Sequence, residues 1–238
     1  MIDNNLIKKC TCGNTELFST LMVNGLWVVA CGVCDTIHQQ LVDWSSEDYY
    51  NFYKTEYHKK YQEEKGVVTY QDRYEHDCRV ADMRLDAYKL PEYSVGLDIG
   101  SSNSAFVHQA RKRKLSCLGL EPGDSIGDDS VTVRGTLDTA YFNPNHFDFV
   151  TMHDSIEHMI DVNGALQKVH TILKDRGQLI LDLPDYFSPK GQHHWKQIEH
   201  LWFFSEDQFV KVLNNNGFGV VHTTTPIPGK LVFYARKK

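Results

Sequence analysis

The chain has 238 residues, 41% hydrophobic and 24% charged, an ordinary mix for a soluble globular protein and enough for one sizeable α/β domain with a small appendage. Its formal charge of −6 and pI near 6.0 give no global pull towards nucleic acid or an anionic membrane. Met1-Ile2-Asp3-Asn4-Asn5 lacks the basic-then-apolar pattern of a signal peptide, and no apolar run is long enough for a bilayer, so a cytoplasmic protein without membrane contact is expected.

Four of the six cysteines fall within the first 34 residues. Cys10-Thr11-Cys12-Gly13 and Cys31-Gly32-Val33-Cys34 flank a β-like segment, 21–30, whose Asn24-Gly25 pair is a strong hairpin-turn signal. In a reducing compartment two close pairs of thiols suit tetrahedral Zn2+ better than disulfides, with glycine giving backbone N–H groups room to turn towards sulfur. The first pair departs from Cys-x-x-Cys, so its geometry would be tighter. Four unliganded cysteines are the bland alternative, but a module of about 40 residues can hardly bury a core without a staple. Residues 1–43 are therefore expected to be a small zinc-ribbon-like module with Cys10, Cys12, Cys31 and Cys34 as ligands. The zinc would be structural, because protein fills all four positions.

Residues 44–90 form a charged, tyrosine-rich connector. Tyr49, Tyr50, Phe52, Tyr53, Tyr57 and Tyr61 recur at roughly helical spacing; Ser45 or Ser46 can cap that helix and Gly66 can interrupt it. With Tyr70, Arg73 and Tyr74 the segment reads as a lid or acceptor wall, where arginine suits a diphosphate, or equally as an amphipathic helix packed over a sheet.

From 91 to 238 strands and helices alternate. Val95–Ile99, 115–120, 147–152 and 179–183 read as buried parallel strands, with 131–133 a shorter one. Helices are expected at about 103–112 and 163–174, the second with Asn163 as its N-cap and Gly177 just past its end. About ten residues separate Glu121 from Val131, too few for a full helix. Ser205-Glu206-Asp207-Gln208 has the form of a capping box, opening a helix that ends at Asn216-Gly217. Two β-rich stretches, 218–225 and 230–236, joined by Pro226-Ile227-Pro228-Gly229, close the chain.

The strand at 95 runs into Asp98-x-Gly100-x-Ser102-x-Ser104. A strand–loop–helix at the C-terminal edge of a parallel sheet is the general recipe for a nucleotide site, but a dinucleotide enzyme wants Gly-x-Gly-x-x-Gly for its pyrophosphate. Here an acid precedes a single glycine, which favours a cation. The next strand ends in Gly119-Leu120-Glu121-Pro122, where an acid can accept hydrogen bonds from both ribose hydroxyls. One acid for a cationic amine and one for a ribose describe S-adenosylmethionine (SAM) better than NAD.

The motifs VGLDIGSS (95–102), LGLEP (118–122), FDFVTMHDSIEHM (147–159), GQLILDLPD (177–185) and EHLWFFSEDQFVKVLNNNGF (199–218) resemble a class I SAM-dependent methyltransferase over about 91–236. The resemblance implies an α/β, Rossmann-like sheet, mostly parallel with an antiparallel last strand. Carried over by position, Asp98, Gly100 and Ser101 would meet the methionine part of SAM, and Glu121 with Pro122 the ribose. Thr136 and Leu137, in RGTLDTA, fall at the adenine, and Met152, His153 and Asp154 beside the sulfonium. Core packing accounts equally well for Leu137 and Met152. Ser102 and Ser104 stand at the second and third glycines of the family's loop, where serine is tolerable if φ is negative.

Methyl transfer is an in-line displacement, so the protein positions the acceptor and takes up its proton. In related enzymes a histidine just before the aromatic cluster lies near the acceptor, which makes His200 the first choice of base, with Glu199 its partner and His153 and His158 as competitors. A packing role is the alternative for each. His193-His194 with Glu199 lacks a third ligand and is not read as a metal site. Cysteine spacing and domain order also resemble the zinc-binding domain preceding the catalytic domain of certain sugar methyltransferases. This implies a small-molecule acceptor, a sugar or nucleotide-sugar. Two other readings stay open. One is a nucleic-acid methyltransferase gripping phosphates through the cysteine module and Arg111-Lys112-Arg113-Lys114, disfavoured by the acidic total. The other is a SAM-binding scaffold without turnover.

Overall fold

In the computed structural model, which describes residues 5–56, 70–123, 127–225 and 227–238 (70–72 by backbone alone), the apolar runs form two sheets. The first begins with the hairpin β1 (Phe18–Val23) and β2 (Leu26–Cys31), followed by β3 (Ile37–Gln39). Asn24 and Gly25 both take left-handed φ, 49° and 80°, the primed turn that matches strand twist. Ser45 then caps α1 (Ser46–Thr55): its Oγ accepts from Asp48 N, and Asp48 Oδ2 accepts from Ser45 N at 2.8 Å. A long helix, α2 (Tyr70–Tyr88), leads to the second sheet. Tyr57, Tyr61, Gly66 and the side chain of Tyr70 lie outside the described residues.

The second sheet contains β4 (Val95–Ile99), β5 (Ser116–Glu121), β6 (Thr132–Arg134), β7 (Phe147–His153) and β8 (Leu173–Pro184), with α3 (Ala105–Lys112) after β4 and α4 (Val162–Ile172) before β8. Then come β9 (Trp202–Phe203), α5 (Glu206–Asn215), β10 (Phe218–Thr224) and β11 (Lys230–Lys237). The spatial order is β10-β11-β8-β7-β4-β5-β6; β11 runs antiparallel to both neighbours and the central pairs are parallel. The chain enters at β4, moves outward through β5 and β6, then returns to β7 on the other side. That reversal opens a crevice at the C-terminal strand ends. No helix joins β5 to β6 among the described residues.

Two expected boundaries move. Asp161, not Asn163, caps α4 by accepting from Gly164 N at 2.9 Å. Asn163 is diverted to tertiary bonds, donating to Thr11 O and accepting from Asn216 Nδ2, both at 2.8 Å. Gly177 lies inside β8, because that strand starts directly after Ile172 and absorbs a register shift opposite Phe147 and Phe149. The capping box at Ser205 and Gln208 forms as read, and Gly217 closes α5 at φ +84°.

The small sheet takes its fourth strand from far along the chain: β9 pairs with β3, Ile37 opposite Phe203 and His38 opposite Trp202. Ile7, Val28, Leu41 and Tyr49 share one core with Leu97, Phe147 and Leu181. Buried Gln39 makes the joint, donating from Nε2 to Lys196 O (2.9 Å) and His200 O (3.1 Å) and accepting from Ile198 N (2.5 Å). Gln39→Ala strands these three backbone groups. It should lower unfolding free energy by about 3 kcal/mol in a urea titration, with one cooperative transition; a loss under about 0.5 kcal/mol would mean that the N-terminal sheet folds independently.

Candidate active site

The crevice is a cavity of about 1390 Å³. Asp98, Gly100, Ser101, Glu121, Pro122, Thr136, Leu137 and His153 all line it. Met152 does not: side chains alternate along a strand, so its neighbour His153 faces the cavity while Met152 is fully buried in the core. Gly100 permits the turn at φ +78°, and a Cβ there would sit 2.2 Å from Ser155 Oγ.

The two serines in glycine positions do not meet the condition of negative φ under which serine is easily tolerated. Ser102 sits at +45° and Ser104 at +63°, in the left-handed region that costs a side-chain-bearing residue about 1–2 kcal/mol. Ser104 has compensation: its Oγ lies 2.7 Å from Thr132 Oγ1 and accepts from Asp128 N at 2.9 Å, tying the loop to β6. Ser102 points its N–H at Glu121 Oε2 (2.8 Å), and Gly123 N donates to Glu121 Oε1 (2.9 Å). Burial raises the Glu121 carboxyl above its ordinary range, with those two N–H groups opposing the shift. Each oxygen keeps a lone pair for a ligand.

The three nominated histidines separate. His153 is held at both nitrogens, Nδ1 to Asp98 Oδ1 at 3.2 Å and Nε2 to Tyr88 OH at 2.8 Å. With Thr151 Oγ1, which donates to Asp98 Oδ1 at 2.7 Å, it fixes the acid at the end of β4. His158, on the turn Ile156–His158, lines the cavity; its Nδ1 lies 2.5 Å from Glu199 O, and burial lowers its pKa to about 4. His200 lies behind it, with ring centroids 4.8 Å apart and Nδ1 2.9 Å from Tyr186 OH. Burial, then the nearby His158, pushes its pKa well below the usual value. His200 is off the cavity wall because residues 196–203 are anchored to Gln39 and β3.

Sequence reasoning missed two ion pairs at the cavity wall, where Arg84, Asp154 and Lys230 line the space. Arg84 Nη2 donates to fully buried Asp182 at 2.7 Å, and Lys230 pairs with Asp154. Asp182, an acid within an apolar strand, was the available signal; Arg84 had none. Arg111-Lys112-Arg113-Lys114 is largely engaged: Arg113 bonds Asp82 and Asp86, Lys114 bonds Glu92, and Arg111 donates to Cys117 O.

The structure brings the sulfurs of Cys10, Cys12, Cys31 and Cys34 within 4.8 Å of one another. Cys10 and Cys34 are 3.5 Å apart and Cys12 and Cys31 3.6 Å, far from a disulfide and close to the ~3.8 Å sulfur spacing of a tetrahedral thiolate site with bonds of about 2.3 Å. Burial would raise the Cys31 thiol, but backbone N–H groups of Val33 and Cys34 and the Asn14 amide bring it down to about 7. These four residues could hold a metal ion.

The loop strain gives a direct test. Ser102→Gly removes strain and, among the described residues, no hydrogen bond of the Ser102 side chain, so it should raise unfolding free energy by about 0.5–1 kcal/mol. Ser104→Gly also relieves strain but breaks two buried hydrogen bonds, and should lower stability by about 1 kcal/mol. Denaturant midpoints measure both, and equal shifts would refute this division of roles.

A family described as "Methyltransferase domain" matches residues 70–223. No curated protein matches the chain. Solved structures with this fold include a SAM-dependent methyltransferase of Thermotoga maritima, 21% identical, covering 80% of this chain and 98% of that one at a TM-score of 0.57. A chain from the complex of a Haloferax volcanii methyltransferase with the Trm112 methyltransferase activator is 15% identical over 79% of this chain and 97% of that one, TM-score 0.58. The [4+2]-cyclase SpnF is 14% identical over 67% and 80%, TM-score 0.55. With the family matched from α2 into β10, the chain belongs to the methyltransferase-domain family.

Proposed function

We propose that the cavity binds SAM along the ends of β4, β5 and β7 and passes its methyl group to a sugar or nucleotide-sugar. The observation that carries the SAM placement is Glu121, a buried acid whose oxygens are pinned by Ser102 N and Gly123 N yet keep lone pairs for two ribose hydroxyls. Asp98, fixed by Thr151 and His153, suits the methionine ammonium, with Gly100 and Ser101 at the methionine chain. Pro122 lies beside the ribose, and Thr136 and Leu137 border the adenine. A volume of about 1390 Å³ exceeds the range of roughly 300–1,000 Å³ for single-ligand pockets, which supports a bulky second ligand. The acceptor belongs at the end formed by Tyr49, Tyr53, His158 and Lys230. The sugar class rests on the cysteine module preceding this domain, whose four thiols we assign to structural zinc.

In this arrangement the protein acts mainly by alignment. When bound, SAM would supply a methyl group for in-line displacement with the bond pair left on its sulfur, and the protein's part would be to align the acceptor and receive its proton. His158 is the nominated histidine best placed to meet that proton's path, with His200 supporting it from behind; His153 serves to orient Asp98.

Glu121→Ala should weaken SAM binding in isothermal titration by about 2 kcal/mol, roughly thirtyfold. An unchanged affinity would remove Glu121 from the ribose site. Metal analysis should find one zinc equivalent fewer in a Cys31→Ser/Cys34→Ser variant than in the parent protein; equal zinc would reject the thiolate site.

A further inference from the structure

Around His158 the charged groups pair off among the described residues, and one buried acid is left without a hydrogen-bond partner. Lys230 faces Asp154, Lys196 Nζ donates to Glu199 Oε2 at 2.9 Å, and Arg84 answers Asp182. Glu157, on the same turn as His158, is fully buried, and neither carboxylate oxygen has a hydrogen-bond partner among the described residues. Burial holds the Glu157 carboxyl well above the usual carboxylate range, so by itself it stays protonated; a cation placed against its two unpartnered oxygens would let it ionise. Its neighbours are imidazoles: ligand atoms of Glu157, His158 and His200 all lie within 4.8 Å of one another. Each ring is oriented through Nδ1, His158 by the Glu199 carbonyl and His200 by the Tyr186 hydroxyl, the support that metal-binding histidines characteristically receive.

We propose that Glu157, His158 and His200 bind a divalent transition-metal ion, through the Glu157 carboxylate and Nε2 of the two histidines. Two nitrogens and one oxygen suit Zn2+, Co2+, Fe2+ or Mn2+ better than Mg2+ or Ca2+. Bonds of about 2.1 Å set ligand atoms roughly 3–4 Å apart, so the side chains draw in modestly from the spacing seen here. Three protein ligands leave coordination positions open, and His158 belongs to the cavity wall. An acceptor hydroxyl or carbonyl bound there would be polarised by the ion, which replaces the proton uptake assigned above to His158, since both its nitrogens are then engaged. That last role rests on the acceptor placement proposed above; the metal site does not.

Chelator-dialysed full-length protein titrated with Co2+ tests it, because thiolate-bound cobalt shows sulfur-to-metal charge transfer and cobalt on nitrogen and oxygen does not. One equivalent with ligand-field bands alone is expected, bound at least tenfold more weakly by Glu157→Gln and by His200→Gln. Glu157→Gln is nearly isosteric and replaces a buried, unpartnered acid by a neutral amide, so it should fold about as stably as the parent without metal. Cobalt uptake of this spectral type that is absent from the parent, or equal in Glu157→Gln, overturns the proposal. SAM titration of the same samples is independent: intact SAM binding without the cobalt site sinks the metal alone, and a cobalt site without SAM binding sinks the cofactor placement alone.

Discussion

The reversal of strand order between β4 and β7 is the constraint on which the site depends. Loops leave these two strands in opposite directions, which opens a crevice at their C-terminal ends. The residues exposed there are polar, and the protein satisfies most of them internally. Asp98 takes Thr151 and His153, while Glu121 takes the N–H groups of Ser102 and Gly123. Remaining lone pairs face the cavity, already oriented before a ligand arrives. Orientation of this kind reduces what binding must organise, and alignment is the main demand of a displacement at carbon.

A second dependence runs through the N-terminal sheet. Its fourth strand is β9, and Gln39 holds the backbone of 196–200 by three hydrogen bonds. The cysteine cluster, the joint at Gln39 and the turn carrying His158 therefore form one packed unit. Tyr49, from α1, donates to Glu199 O, the carbonyl that also orients His158. Positions distant in sequence thus fix one imidazole, and damage to the small sheet should be felt at the cavity.

The loop after β4 shows how a rule of local conformation yields to tertiary bonding. Serine in the left-handed region is unfavourable, yet Ser104 spends its hydroxyl on Thr132 and Asp128, bonds that glycine could not make. The connection between β5 and β6 has no helix among its described residues, so this hydroxyl does part of the work that helix packing would otherwise do.

The sequence alone determined the strands of the larger sheet, the hairpin at Asn24-Gly25, the capping box at Ser205, and the acids at the ends of β4 and β5. These follow from local periodicity and turn chemistry, which are written in neighbouring residues. It also paired the four cysteines as a cluster, because spacing limits where they can go. The short strands β3 and β9 and the choice of Ser45 over Ser46 as a cap came from the structure. Only tertiary structure decided which of His153, His158 and His200 reaches the cavity, since all three share the same chemistry and differ in what packs behind them. Asn163 read as a cap and became a tertiary tie; Met152 read as a cofactor contact and became core. Both depend on facing partners, Thr11 and Asn216 for one and the core packing of β7 for the other, that local sequence does not contain. That Glu157 has no hydrogen-bond partner among the described residues likewise emerges only when the neighbouring groups have found theirs, because pairing is a property of the packed interior rather than of the chain.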